Sequence, residues 1–205
     1  MTRYNRVSSV EAMSGIARRR SAIIGAVTLA LVAGGALSST VLAQGATSEK
    51  GKRIARASLV NASGDKVGTV RFERRGKSRA LRVSVTVRGL TPGFHGFHIH
   101  TVGTCQGPSF MSAGPHLNPA GVDHGDHTGD MPPLLVTRGG TAQARFTTDR
   151  FSIGLLRDAD GSAAMVHALP DNGANIPTDR YDPDPDVATL ATGDSGARVA
   201  CGVVK

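Results

Sequence analysis

A chain of 205 residues that is 40% hydrophobic holds enough apolar material for one ordinary domain plus accessory segments. Its formal net charge of +8 is unevenly spread: residues 50–88 carry twelve basic groups against Asp65 and Glu73, whereas residues 89–205 carry seven basic and twelve acidic groups. With two tyrosines and no tryptophan there is little to stack on bases, which argues against nucleic acid and leaves a solvated strand face, or attraction to an anionic cell envelope, as the meaning of the basic stretch.

Residues 1–43 read as an export signal. A polar start ending in Arg18-Arg19-Arg20 precedes an apolar run from Ala22 to about Val41, and Val41-Leu42-Ala43 offers the small residues of a cleavage site. An uncleaved anchor is the alternative, since about 20 apolar residues can cross a bilayer; Gly25, Gly34, Gly35 and the polar residues 38–40 weaken the run. Cleavage after Ala43 would leave 19 basic and 15 acidic groups. The location expected is therefore outside the cytoplasm: extracellular, periplasmic or on the cell envelope. Residues 44–53 are small and polar and form a flexible leader.

From Ile54 the chain reads as a meander of short strands. Ile54 to Val60 meets a Ser63-Gly64-Asp65 turn, Val67 to Arg74 meets Arg75-Gly76-Lys77, and Leu81, Val83, Val85 and Val87 alternate with polar residues as in a half-buried strand. Phe94 to His100 follows the Thr91-Pro92-Gly93 turn. In an extended chain Phe97 and Ile99 share one face, and His98 and His100 share the other at ~7 Å separation, close enough to lean onto one ion. All seven histidines fall between His95 and His167, which scattered surface histidines would not do. A long loop runs from Gly103 to Pro133; Leu134 to Thr137 and Ala142 to Thr148 then pair across Arg138-Gly139-Gly140. Ala163 to Ala168 is a further strand, a second long loop covers Leu169 to Ala197, and a final strand lies near Val199 to Val204. Eight short strands and no convincing helix predict an all-β antiparallel sandwich or barrel with two long loops. Loops of nearly thirty residues would count against this unless something holds them. The two cysteines, Cys105 and Cys201, are an even count in an exported chain and favour one bridge over two buried thiols.

The first loop contains Ser112-Ala113-Gly114-Pro115-His116 and then His124-Gly125-Asp126-His127-Thr128-Gly129-Asp130. With Gly93-Phe94-His95-Gly96-Phe97-His98-Ile99-His100 before them and Gly196-Ala197-Arg198-Val199-Ala200-Cys201-Gly202-Val203-Val204 after, these motifs resemble the copper/zinc superoxide dismutases, in that family's order, over residues 54–205. The resemblance implies a Greek-key barrel of eight strands. It implies one copper ion on His98, His100, His116 and His167, and one zinc ion on His116, His124, His127 and Asp130, with His116 shared and catalytic. Imidazoles without thiolates suit tetragonal copper, and three imidazoles with a carboxylate suit tetrahedral zinc. His95 is left over, in a position that the family uses structurally. Asp171 matches the carboxylate that links His98 to His124 and fixes their tautomers. Thr192 and Arg198 match the mouth of the substrate channel, where a guanidinium would attract superoxide, the small anionic substrate.

Two features depart from the family pattern. Only Gly125 and Asp126 separate His124 from His127, so Asp126 stands as a competing zinc ligand. The stretch Asn175 to Asp186 is acidic and proline-rich, which shifts steering onto Arg198 and the basic early strands. The subunit count, monomer or homodimer, is left open. The functional expectation is conversion of two superoxide radicals to oxygen and hydrogen peroxide, protecting the envelope. A metal-storage module and an envelope-associated structural protein are the competing readings.

Overall fold

The computed structural model describes residues 53–177, 179 and 185–205. The expected export signal, nearly all of the leader and part of the acidic, proline-rich stretch lie outside the described residues. Nine strands are present among them: β1 (Ile54–Asn61), β2 (Lys66–Arg74), β3 (Leu81–Arg88), β4 (Gly93–His95), β5 (Phe97–His100), β6 (Leu134–Val136), β7 (Thr141–Thr148), β8 (Ala163–His167) and β9 (Arg198–Val203). Seven pair in the order β5-β8-β9-β1-β2-β3-β7, and β4 pairs with β6. Every ladder is antiparallel. β6 turns into β7 through the Thr137 N–H bond to the Thr141 carbonyl, and β4 runs on into β5, so the two ends of the large sheet are brought round toward each other into a barrel.

The expected single strand from Phe94 to His100 is thus two strands that meet at Gly96. A Cβ there would press on the Ser195 side chain and come within 3.1 Å of the His98 ring, so the backbone passes where only glycine fits. Counted as one kinked strand, β4 and β5 restore the eight strands expected. The absence of helices needs a correction: α1 (Ile153–Leu156) and α2 (Val187–Thr192) are both present. Ser152 caps α1 by accepting from the Leu155 N–H, and Asp186 caps α2 by accepting from the Thr189 N–H. Helices of four and six residues are too short to show a 3.6-residue period, which is why they were not legible.

Alternation explains what the strands bury. Ala55, Ala57 and Leu59 of β1, Val70 and Phe72 of β2, and Leu81, Val83, Val85 and Val87 of β3 point into the barrel, where Phe97 and Ile99 of β5 join them. His98 and His100 face the other way and are nonetheless fully buried. The loops cover them. The Ile99 N–H bonds to the Gly129 carbonyl, the Leu117 N–H to the Ile99 carbonyl, and the Thr101 N–H to the Pro115 carbonyl, so the first long loop runs back alongside β5. The second is tied to the first by the His124 N–H to the Leu190 carbonyl. Cys105 and Cys201 form the expected disulfide, fastening the first loop to β9 over Phe110, Ala113 and Met165.

Candidate metal centre

Strands β5 and β8 deliver three of the seven histidines, and the groups around them settle which nitrogen each one offers. His100 Nδ1 donates to the Gly114 carbonyl at 2.8 Å, and His167 Nδ1 donates to the Gly196 carbonyl at 3.1 Å. Their Nε2 atoms are left 3.3 Å apart, facing each other. His98 is turned round: its Nε2 lies 2.6 Å from Asp171 Oδ2, and its buried Nδ1 has no hydrogen-bond partner. His116 enters from the first loop beside His100. One nitrogen from each of His98, His100, His116 and His167 falls within 4.8 Å of the others, a set that can hold an ion. Burial lowers the His98 pKa to about 4 against the bond from Asp171, lowers His167 to about 3, and drives His100 well below its ordinary value. All three rings are therefore neutral near pH 7, with lone pairs free for a metal.

A second cluster adjoins the first and comes from the first loop alone. Asp130 Oδ1 lies 3.3 Å from His116 Nδ1, 3.4 Å from His124 Nδ1 and 3.4 Å from His127 Nδ1, and His116 and His127 are 3.3 Å apart through the same atoms. Asp130 Oδ2 is occupied by the N–H groups of Gly125 and His127, so Oδ1 is the oxygen left over. Oδ1 and His124 Nδ1 are buried and lack hydrogen-bond partners. Three inward-facing atoms without partners, His98 Nδ1, His124 Nδ1 and Asp130 Oδ1, are what a pair of cations would satisfy. His98 is also within 4.8 Å of the His116, His124 and Asp130 donors, because it borders both cavities.

The short segment between His124 and His127 closes without difficulty. Gly125 adopts φ +97°, and the Asp126 side chain is 89% exposed, outside the cluster it was expected to compete for. Arg150 clamps this turn from the end of β7, donating to the His127 carbonyl at 2.8 Å and the Gly125 carbonyl at 2.9 Å. Nothing in the sequence marks that arginine, since a lone basic residue after a strand has no spacing to betray it.

Asp171 joins the clusters as expected, with Oδ1 2.9 Å from His124 Nε2 and Oδ2 on His98. Burial would raise both carboxyl groups, but the imidazoles crowded against Asp130 and the ring bonds to Asp171 outweigh it and hold both well below the usual carboxylate range. Burial likewise acts downward on His124, yet Asp130 and Asp171 raise it to about 9; burial lowers His127. Gly193 ends α2 at φ +64°, and a Cβ there would overlap the His124 ring. His95 sits beneath the centre, its Nδ1 2.6 Å from the His167 carbonyl and its Nε2 2.8 Å from that of Thr91.

One side of the first cluster is open. His100, His116 and His167 line a cavity of about 580 Å³ whose walls include Thr192, Arg198, Pro108 and Met111. Arg198 Nη1 donates to the Phe110 carbonyl at 2.8 Å and Nη2 to the Gly114 carbonyl at 2.7 Å, which fixes a cation in the wall.

Over residues 66–204 the chain matches the sequence profile of copper/zinc superoxide dismutase (SODC). It belongs to the copper/zinc superoxide dismutase family. The Cu-Zn superoxide dismutase of Mycobacterium tuberculosis is 39% identical over 170 residues, spanning 75% of this chain and 71% of that one. Cu-Zn superoxide dismutase A of Xenopus laevis is 37% identical over 148 residues, spanning 69% and 91%. Among solved structures, a SOD-like protein from Bacillus subtilis superposes with a TM-score of 0.58 at 29% identity, covering 72% of this chain and 96% of that one. The clock protein EA4 superposes at 0.60 with 27% identity, covering 75% and 94%. The matched β-domain thus makes up nearly the whole of both solved chains. The family's cofactors are copper and zinc, and the donor sets here fit both ions.

Proposed function

We propose that this chain is an exported dismutase in which copper is held by His98 Nδ1 with Nε2 of His100, His116 and His167, and zinc by Nδ1 of His116, His124 and His127 with Asp130 Oδ1. The observation that carries the assignment is the set of buried donor atoms left without partners at the junction of two histidine clusters. Four imidazoles suit copper, and three imidazoles with one carboxylate suit zinc. Bound copper supplies one-electron redox chemistry that turns two superoxide radicals into oxygen and hydrogen peroxide, while zinc fixes His116.

The protein's own groups do the rest. Arg198 offers its remaining N–H groups to a small anion in the cavity, and its charge draws that anion inward. Thr192 and Met111 narrow the opening. His116, with Nδ1 committed to the Asp130 side, would carry at Nε2, only while that nitrogen is off the metal, one of the two protons that hydrogen peroxide requires, and the second would come from water. Asp171 fixes the tautomers of His98 and His124. Arg198 in an open cavity favours turnover over storage, because a storage site has no use for a fixed anion-attracting group beside its metal. Metal analysis of the purified protein alongside a dismutation assay tests the assignment: one copper and one zinc per chain with activity is expected, and tight metal uptake with no dismutation would overturn it.

The envelope is the setting that the sequence of residues 1–43 supports. Amino-terminal sequencing of protein recovered outside the cytoplasm should begin at Gln44; an intact Met1 in a membrane fraction would mean a retained anchor instead.

A further inference from the structure

The basic stretch of the sequence becomes one face once folded. β1, β2, β3 and β7 lie side by side, and their register puts Arg56 opposite Arg71, Arg71 opposite Ser84, and Ser84 opposite Arg145. One step along, Glu73 stands opposite Arg82. Arg88 and Lys66 lie farther along the same sheet, and the turn from β2 to β3 adds Arg75, Lys77 and Arg79, all exposed. Glu73 is the one acid at the outward positions of these strands, and it is already taken by Arg71 at 3.4 Å and Arg75 at 4.0 Å. Like charges directly opposite across a ladder repel, and Glu73 offsets only the Arg71 side of the Arg56–Arg71 pair, so the face keeps an excess of positive charge.

The shape selects the occupant. Four adjacent strands span about 14 Å, and the array is a sheet surface, not a groove. It has no aromatic side chain among its outward residues, which are arginine, lysine, serine, threonine, glutamine and one glutamate besides Ile54 and the half-buried Val60, so it has nothing to stack on bases. We infer that the outward face of β1, β2, β3 and β7 docks on an anionic phospholipid surface. Docking there leaves the copper cavity clear, because no residue of these four strands lines it. The inference takes its setting from the export reading and is independent of the metal assignment.

The test uses the metal-loaded mature protein that the export reading leaves, residues 44–205. It is sedimented with vesicles of phosphatidylcholine alone or of phosphatidylcholine with phosphatidylglycerol. Binding should be at least ~10-fold tighter on the anionic vesicles and should weaken as salt approaches ~0.15 M. The combined variant Arg56→Glu, Arg82→Glu, Arg145→Glu should lose that preference, the corresponding lysine variant should keep it, and both should keep the parent's metal content and thermal unfolding transition, which shows that they are folded. Equal binding to the two vesicle types, or an anionic preference that survives the reversal, would overturn the inference. Binding to duplex DNA with none to vesicles would overturn it too. An active protein that ignores vesicles sinks this inference alone; an inactive one that binds them sinks the dismutase reading alone.

Discussion

The two halves of the metal centre are held by different means. On the open side His98, His100 and His167 stand on β5 and β8, in the ladder of the large sheet, and backbone carbonyls orient two of the three rings. On the closed side His116, His124, His127 and Asp130 all come from one loop, oriented by the carboxylate of Asp171 and the guanidinium of Arg150. The barrel places the first half, and long-range side-chain contacts place the second. The first should therefore depend chiefly on its ligands, and the second should be more sensitive to residues that never touch a metal.

Substitution of ligands gives the largest effect. His167→Ala should abolish dismutation and copper retention while leaving zinc bound, and His127→Ala should release zinc while leaving copper; metal analysis of each variant checks this, and loss of both ions from either one would erase the distinction. Asp171→Asn should weaken zinc binding by about 10–100-fold and copper binding by less, because His124 loses its only Nε2 partner whereas His98 stays on its strand. Competition with a chelator measures both. Arg150→Met should lower zinc affinity by about tenfold, ~1.4 kcal/mol for two partly exposed hydrogen bonds, with copper affinity unchanged. An unaltered zinc affinity would show that the His124–His127 turn closes by itself.

The smallest effect is a pH dependence of the metal-free protein, with an acid limb led by His98 and His167 of the open half and joined by His127, and an alkaline limb from His124 of the closed half. His98 and His167 titrate near 4 and 3, below the ordinary 6.5, so the unfolded chain binds more protons than the folded one between those values. Stability should fall as the pH drops from about 6.5 toward 4. His124 at about 9 has the opposite sign: its contribution is complete below 6.5 and is lost as the pH rises through 9. Calorimetry of the metal-free protein should show both limbs, and Asp171→Asn should flatten the alkaline one. A profile that keeps its alkaline fall in that variant would assign it elsewhere.

Much of this centre was legible because period-two alternation puts His98 and His100 on one face whatever the rest of the chain does, and because motif order carried His116, His124, His127, Asp130, His167 and Asp171. The strand positions followed from apolar alternation. The one-turn helices did not, having too few residues for a period, nor did the break at Gly96, which is set by Ser195 from the far end of the chain. Arg150 was invisible for the same kind of reason: its partners are backbone carbonyls, and a carbonyl leaves no trace in a sequence. Asp126 was a fair rival for zinc on spacing alone, and only the path of the Gly125 turn sends it outward.

Arg198 has both terminal nitrogens anchored to carbonyls of a loop that the Cys105–Cys201 bridge fastens to the arginine's own strand. On the proposed reading the receptor for the anion is therefore a fitting in the wall, and the arginine need not rearrange between one visitor and the next.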